Sequence, residues 1–205
     1  MRRQAALQRN NMHVPETDRL YMRPFEHDDV DTMFTVFNDE LSLRFYPRMS
    51  DPRLVAGWVI RWRDVHKRDG VSLWALCLKS TDEMIGDCGL VWQDIDEGRR
   101  LEIGYHIAAQ HRRRGYAREA AAACRNHAFE QLRQERVISI VASENIASRT
   151  VAANVHRNVR TGFKRAGKTR LIFWTDRSDC GSLNGGLYFD PPATLPADPG
   201  RDAAL

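Results

Sequence analysis

Apolar and polar residues follow two rhythms along the chain, and these rhythms divide it into strands and helices. Alternating or short apolar runs predict strands, because successive side chains on a strand point to opposite faces. Seven segments carry this pattern: 19–25, 72–78, 84–92, 100–107, 136–141, 170–175 and 186–189. Short polar turns separate the second, third and fourth runs, which is typical of antiparallel neighbours.

Helical spacing fills the intervals between these runs. Apolar residues at three- and four-residue spacing predict helices at 26–37 and 51–70. After Gly115 an alanine-rich stretch of high helix propensity predicts a long helix, and a further helix begins near Ile146. The aromatic and basic segment 42–49 is expected to be a loop.

The composition supports one folded α+β domain. The chain has 205 residues, of which 42% are hydrophobic and 28% are charged, values typical of a globular protein. The pattern predicts a flexible arm at 1–17, a single domain at 18–190 and a disordered tail at 191–205.

Charge and cysteine content narrow the class of protein. The net charge of +4 is a mild basic excess that favours anionic ligands. The four cysteines form no Cys-x-x-Cys pair, so we expect neither a metal site nor disulfide bonds. The N-terminal residues lack the apolar core of a secretory signal, and no run approaches the roughly 18 apolar residues of a membrane span. We therefore expect a cytoplasmic protein without a membrane partner.

The stretch from Leu101 to Ala117 is the most informative, because it combines a strand, a basic turn and a helix start. A helix start offers free backbone N–H groups and the positive end of the helix dipole. Gly115 permits conformations that aim successive amides into one concavity, and the arginines at 112–114 add positive charge. The stretch predicts a site for a ligand that carries a pyrophosphate.

Two alternatives stay open for this turn. An ordinary strand-to-helix connection with solvent-facing arginines has the same pattern. Direct nucleic-acid binding is less favoured, because no aromatic stacking platform is interleaved with the arginine run. The sequence contains neither a Gly-x-x-x-x-Gly-Lys-[Ser/Thr] motif nor a Gly-x-Gly-x-x-Gly motif after a strand.

Arg112-x-x-Gly115-x-Ala117 and Asn145-x-x-Ser148 are two blocks of the sequence that resemble the acetyl-CoA motifs of the GNAT superfamily of N-acetyltransferases. Arg112-x-x-Gly115-x-Ala117 is similar to the family's [Gln/Arg]-x-x-Gly-x-[Gly/Ala] motif, and Asn145-x-x-Ser148 resembles the Asn-x-x-Ser block after the fifth strand. The blocks come in the family's order, on the expected strand and helix types.

Three further runs look like the branch that acetylates ribosomal-protein N-terminal alanines. These are Arg-Leu-Tyr-Met-Arg-Pro at 19–24, Glu-Ile-Gly-Tyr at 102–105 and Gly-Tyr-Ala-Arg-Glu-Ala at 115–120. The resemblance covers residues 17–190. It implies an α+β fold with a mixed, mostly antiparallel sheet of about seven strands flanked by about four helices.

The resemblance also implies a bound acetyl-CoA. Backbone amides of the basic turn would bind the pyrophosphate, while Ile107 would pair with the pantetheine arm like a strand and Asn145 would contact the arm from the other side. The implied cofactor-binding residues are Ile107, Arg112, Arg113, Arg114, Gly115, Tyr116, Ala117 and Asn145. In the family a bulge separates the fourth strand from the fifth, and the thioester lies in the opening.

Two residues are candidates for catalysis. Glu102 lies on the strand beside the implied thioester, where related enzymes use a glutamate as a base, directly or through water. It alternatively pairs with an arginine. Ser148 either protonates the departing CoA thiolate, as proposed for relatives, or caps the helix that follows Asn145.

The sequence departs from the family pattern at two places. Arg113 stands where a small residue or glycine is usual, a change that the backbone need not register. Gly162-Phe163 comes 14 residues after Ser148 instead of about eight. An extended helix is the simplest interpretation of the longer segment, and a loop insertion is the alternative.

The leading prediction is an enzyme that transfers the acetyl group of acetyl-CoA to a protein N-terminal α-amine. The alternatives are a small-molecule amine acceptor and a non-catalytic acyl-CoA-binding or ribosome-associated module. We expect no metal and no direct nucleic-acid partner, and a monomer or homodimer. Candidate acceptor-groove residues are Phe45, Tyr46, Arg48 and Trp74.

Overall fold

A computed structural model describes residues 14–165, 168–183 and 186–188. The strands are β1 (Leu20–Arg23), β2 (Leu73–Leu78), β3 (Met84–Ile95), β4 (Gly98–Ile107), β5 (Arg136–Ala142), β6 (Asn158–Arg165), β7 (Lys168–Asp176), β8 (Gly181–Leu183) and β9 (Gly186–Tyr188). The α-helices are α1 (Val30–Phe37), α2 (Glu40–Phe45), α3 (Pro52–Asp69), α4 (Tyr116–Glu130) and α5 (Ile146–Val155).

Seven strands form one sheet in the order β1-β2-β3-β4-β5-β7-β6. Every neighbouring pair is antiparallel except β4 and β5, which are parallel. The mixed, mostly antiparallel α+β prediction is therefore confirmed. Strands β8 and β9 pair with each other in a separate two-stranded sheet.

Helices cover both faces of the sheet. On one face, Phe37 of α1 and Val59 of α3 join a buried cluster with Leu73 of β2. On the other face, the alanine-rich side of α4 packs against β3 and β4, where Cys124 lies in a cluster with Ile103. Small side chains let α4 approach the sheet closely, so its first turn is brought to the end of β4.

The boundaries of α3 follow its sequence closely. The Asp51 carboxylate accepts from the Arg53 amide, Pro52 occupies the first helical position, and Gly70 ends the helix at a φ of 74°. Only glycine adopts that left-handed conformation without a steric penalty.

The segment 42–49 is not the loop that the sequence predicts. Asp39 accepts hydrogen bonds from the Leu41 and Ser42 amides, and this cap starts the short helix α2. A 3-10 turn at Pro47–Ser50 follows. Aromatic and basic composition obscured a capping signal that a single aspartate provides.

The long segment after Ser148 also differs from the expectation. Helix α5 ends at Val155 instead of extending, and β6 begins at Asn158. Gly162, at a φ of 98°, lies where the β6–β7 register shifts. The extended-helix interpretation is wrong, because residues 158–165 form a strand.

The N-terminal boundary lies inside the predicted arm. Val14 packs against the core, Pro15 is buried, and the Thr17 hydroxyl bonds Glu119 of α4. Residues 14–17 therefore belong to the folded part. The rest of the predicted arm and the predicted tail at 191–205 lie outside the described residues.

Candidate active site

The parallel strands β4 and β5 part after only two paired positions. Leu101 pairs with Val137 and Glu102 with Ile138, and the ladder ends there. Beyond this point the Ser139 hydroxyl donates to the Ile103 carbonyl at 3.2 Å. The strands thus open into a cleft whose apex lies at Glu102.

The cleft opens without the expected bulge in β4, because the pairing of β4 with β3 is regular. These strands keep one register over all ten pairs, from Gly86 with Ile107 to Ile95 with Gly98. The separation therefore arises on the β5 side of β4.

A cavity of about 370 Å³ occupies the cleft and extends to α3, whose Trp58, Arg61 and Trp62 line it. Tyr105, Ser139, Asn145 and Ser148 line its strand side, together with Glu102. Phe45, Tyr46, Trp58, Arg61 and Trp62 form the opposite wall. A single cavity thus holds the predicted catalytic residues and an aromatic wall.

Of the predicted groove residues, Phe45 and Tyr46 line this cavity. Trp74 does not, because it is fully buried on the α4 face and donates from Nε1 to His66 Nδ1 at 3.1 Å. Arg48 lies outside the described lining. Alternation along β2 explains the difference, since Trp74 and Leu73 point to opposite faces.

Asn145, and not Ser148, caps α5. Its Oδ1 accepts from the Ser148 amide at 3.0 Å. The Ser148 hydroxyl lies 3.2 Å from the Tyr105 hydroxyl, which also donates to the Ser148 carbonyl at 3.0 Å. Burial raises the pKa of Tyr105 well above its usual value. The Ser148 side chain is thus directed at the cleft, and its alternative role as a cap is wrong.

A chain of hydrogen bonds supports the apex from beneath. His156 is fully buried, with Nε2 at 2.9 Å from the Ser139 hydroxyl and Nδ1 at 3.3 Å from the Thr175 hydroxyl. Ser139 donates its only hydroxyl proton to the Ile103 carbonyl, so it must accept a hydrogen bond from His156 Nε2. Thr175 accepts from the Arg157 amide at 3.2 Å and donates its own proton to His156 Nδ1. His156 is then neutral with its proton on Nε2. Burial lowers its pKa to about 3.

The basic turn has the backbone expected of an anion-binding concavity. Arg113 has a φ of 62° and Gly115 a φ of 83°, both left-handed. Helices α2, α3 and α5 each begin with a capping side chain, but α4 begins at Gly115 with none. Its first amides therefore remain available to a bound anion. Arg113 also shows that the backbone does register the replacement of a small residue.

The Arg112 side chain is used by the protein itself. Its two terminal nitrogens donate to the Asp39 carboxylate at 2.8 and 2.7 Å, and Nε donates to the Ile107 carbonyl at 2.9 Å. The hydrogen bond from Arg112 lowers the pKa of Asp39 to about 2. Arg112 thus fixes the turn to β4 and α2, and its charge is neutralised.

Sequence reasoning missed a histidine–aspartate pair on the aromatic side. His106 lines the cavity, and its Nδ1 lies 2.8 Å from the fully buried Asp87 carboxylate. Its ring packs against Phe37, Tyr46 and Trp58 at centroid distances of 4.9 to 5.7 Å. Register alone could have found the pair, because His106 and Asp87 are direct neighbours on β4 and β3.

The parted parallel strand pair and the uncapped helix after a basic turn are features that the family resemblance implies for an acyl-CoA-dependent acyltransferase. The acetyltransferase (GNAT) domain family matches residues 19–156, and the chain belongs to this family. The protein is accordingly an acetyl-CoA-dependent N-acetyltransferase.

The chain is similar to several known proteins. The chain is 36% identical over 159 residues to the uncharacterized protein YkkB of Bacillus subtilis, covering 77% of this chain and 92% of that protein. A crystal structure of an acetyltransferase from Agrobacterium tumefaciens matches with a TM-score of 0.69 at 23% identity, covering 80% of this chain and 95% of that one. A putative ribosomal-protein-serine acetyltransferase from Vibrio cholerae matches with a TM-score of 0.67 at 18% identity, covering 80% and 97%. The last two likenesses concern the fold.

The described residues include neither a cluster suited to a metal ion nor a helix suited to a membrane. Within 14–165, 168–183 and 186–188, no group of three or more His, Cys, Asp or Glu side chains is arranged to hold a metal ion. Over the same residues, no helix has both the length and the apolar character to cross a membrane.

Proposed function

We propose that the enzyme acetylates the α-amine at the N-terminus of a peptide or protein, with the cleft holding the thioester and the aromatic wall holding the acceptor. The observation that supports this proposal best is the cavity that joins Glu102 to the aromatic wall. The assignment to the ribosomal-protein branch rests on the sequence runs at 19–24, 102–105 and 115–120.

The diphosphate of acetyl-CoA is proposed to bind at the turn of residues 112–117. The support is the uncapped start of α4, the two left-handed residues and the charges of Arg113 and Arg114. Because Arg112 is paired with Asp39, its side chain adds no free charge.

The pantetheine arm is proposed to run along the open edge of β4 between Ile107 and the apex, with Asn145 on the far side. The Ile103 carbonyl accepts from the Ser139 side chain, and the Ile107 carbonyl accepts from the Arg112 side chain. The N–H and C=O groups of the odd-numbered β4 residues therefore point away from β3. Tyr105 lies between them, and its peptide group is therefore aimed into the cleft.

Glu102 is proposed to take a proton from the attacking amine, directly or through water. A lysine side chain of pKa about 10.4 costs about 5 kcal/mol to deprotonate at neutral pH, whereas an α-amine of pKa about 8 costs about 1 kcal/mol. A single carboxylate near the thioester is a weak base, so it is better suited to deprotonating an α-amine than a lysine side chain. Ser148 is then proposed to donate a proton to the departing thiolate.

The lining favours an acceptor with one positive charge and an apolar body. Among the described lining residues, Glu102 is the only carboxylate, and Arg61 and Arg170 are also present. A polyamine or a multiply charged antibiotic would meet these arginines without enough carboxylates to offset them. A peptide N-terminus carries its charge at the reacting nitrogen and offers side chains to the aromatic wall.

A small-molecule amine with an apolar body is the second candidate. The volume of about 370 Å³ supports it, because pockets for small ligands begin at about 300 Å³.

The test is release of CoA from acetyl-CoA in the presence of matched amines. The panel contains short peptides with a free N-terminus, the same peptides with a blocked N-terminus and an internal lysine, free aromatic amines, and polyamines. Turnover of the free-terminus peptides alone supports the proposal. Turnover of the free aromatic amines alone would replace it with the second candidate, and turnover of the polyamines would refute the charge argument.

A further inference from the structure

Arg19, in the segment that leads into β1, contacts the proposed diphosphate-binding turn from the outside. Its Nη1 donates to the Arg114 carbonyl at 3.2 Å, and its Nε donates to the Glu119 carboxylate at 2.7 Å. Its guanidinium lies 4.7 Å from the centre of the Tyr116 ring. One side chain thus contacts the end of the turn, the first helical residue and the first turn of α4.

The turn needs such a contact because its backbone is held in an uncommon conformation. Arg113 is left-handed at a φ of 62°, where side chains other than glycine are strained. Arg112 fixes the beginning of the turn through Asp39 and the Ile107 carbonyl. Arg19 holds the end of it through the Arg114 carbonyl. The two arginines brace the turn from both sides before any ligand arrives.

Arg19 also neutralises a negative charge close to the proposed diphosphate site. Glu119 lies in the first turn of α4, where a carboxylate interacts well with the helix dipole but repels an incoming diphosphate. Burial tends to raise the pKa of Glu119, and hydrogen bonds from Thr17 and Arg19 outweigh that effect and lower the pKa. Glu119 is therefore ionised, and Arg19 neutralises it at close range.

We propose that Arg19 is a positioning residue for acetyl-CoA: it holds the Arg114 carbonyl and neutralises Glu119, so that the amides of the turn are ready to receive the diphosphate. This role rests on the proposed placement of the diphosphate at residues 112–117.

The experiment compares Arg19→Gln with Arg68→Gln, which removes the same charge from an exposed ion pair with Asp69 at the end of α3. Calorimetry measures the Kd of CoA. Steady-state kinetics compare acetyl-CoA with S-acetylpantetheine, a thioester that carries no diphosphate.

For Arg19→Gln we expect CoA to bind about tenfold more weakly, the effect of losing one charge-assisted hydrogen bond near an anion. The KM for acetyl-CoA should rise by a similar factor while kcat is kept, and the kinetics with S-acetylpantetheine should equal those of the wild type. Arg68→Gln should match the wild type in every measurement. Arg19→Lys keeps the charge but loses the planar fork, so we expect a smaller loss in the same direction.

Two results would overturn the role of Arg19 alone, given a wild type that binds CoA. One is a Kd of Arg19→Gln within about twofold of the wild type, a difference too small for a charge-assisted contact. The other is an equal loss with both thioesters, because a diphosphate-positioning residue has no effect on a donor that lacks the diphosphate. A wild-type protein that did not bind CoA would overturn the proposed cofactor site and this role together.

Discussion

The buried His156 should make the fold sensitive to mild acid. Its pKa in the folded protein is lowered to about 3 by burial, against 6.5 in the unfolded chain. Below pH 6.5 the unfolded state takes up a proton that the folded state refuses. The stability that this histidine contributes is therefore complete above about pH 6.5 and is lost progressively as the pH falls toward 3.

The size of the effect follows from the gap between the two pKa values. At about pH 5 the pH lies about 1.5 units below the pKa of the unfolded chain. Protonation then stabilises the unfolded state by about 2 kcal/mol, at about 1.4 kcal/mol per unit. That is a large part of the ~5–15 kcal/mol that stabilises a typical domain. Asp39 does not interfere, because its folded pKa of about 2 lies below an unfolded value of 3.8, so its contribution is lost only at lower pH.

The assay is urea unfolding followed by tryptophan fluorescence, at about pH 7 and about pH 5, on the wild type and on His156→Gln. Glutamine supplies one donor for Ser139 and one acceptor for Thr175 but does not titrate. Between about pH 7 and about pH 5, the free energy of unfolding of the variant should fall by about 2 kcal/mol less than that of the wild type, whatever the absolute stability of the variant. His66, whose pKa burial also lowers, is present in both proteins and cancels in the comparison.

His27→Gln is the matched control, because the His27 side chain is 86% exposed. It should keep the full pH dependence of the wild type. If His156→Gln kept that dependence as well, the assignment of a neutral, buried His156 to the hydrogen-bond chain under the cleft would be refuted.

Three further variants test the turn and the apex. Arg113→Gly should raise the free energy of unfolding by about 0.5–1 kcal/mol. Glycine relieves a left-handed strain of about 1–2 kcal/mol, but it also makes the unfolded chain more flexible, which costs about 0.5–1 kcal/mol. A lower urea midpoint would contradict the φ of 62°. Arg112→Lys keeps the positive charge but loses the two parallel hydrogen bonds to Asp39, so the free energy of unfolding should fall by about 1–2 kcal/mol in the same denaturation assay. An unchanged midpoint would show that these two hydrogen bonds contribute nothing. Glu102→Gln should reduce kcat/KM about a hundredfold near neutral pH and remove the acidic limb of its pH profile while the melting temperature is kept; a wild-type rate and profile would exclude Glu102 as the base.

The sequence was a good guide wherever local pattern and tertiary packing agree. The strands at 73–78 and 84–95 have buried, β-favouring residues in long runs, and both fall within a few residues of their predicted ends. The long helix after Gly115 begins where its alanine spacing begins. The parting of β4 and β5 was expected from the family resemblance alone, since no residue pattern records how far two strands stay paired.

The errors lie where one residue outweighs the composition around it. Asp39 converts an aromatic and basic segment into α2 by capping it. Val151, Val155 and Val159 keep a four-residue rhythm that predicts helix, yet His156 takes an extended conformation and breaks it. Its ring is bonded to Ser139 and Thr175 of the sheet, and this tertiary anchor is invisible to periodicity.

The arginines at 112–114 show why a charge run cannot be divided among its roles from sequence. All three look equivalent as positive charge, but Arg112 points back to Asp39 and Arg113 supplies a left-handed backbone. The cation that braces the far end of the turn is Arg19, nearly one hundred positions earlier in the chain. An anion site of this kind is built from backbone amides, and the arginines around it act mainly by fixing where those amides point. Substitutions at Arg19 and Arg112 should therefore weaken CoA binding through the geometry of the turn, even though neither side chain needs to touch the diphosphate.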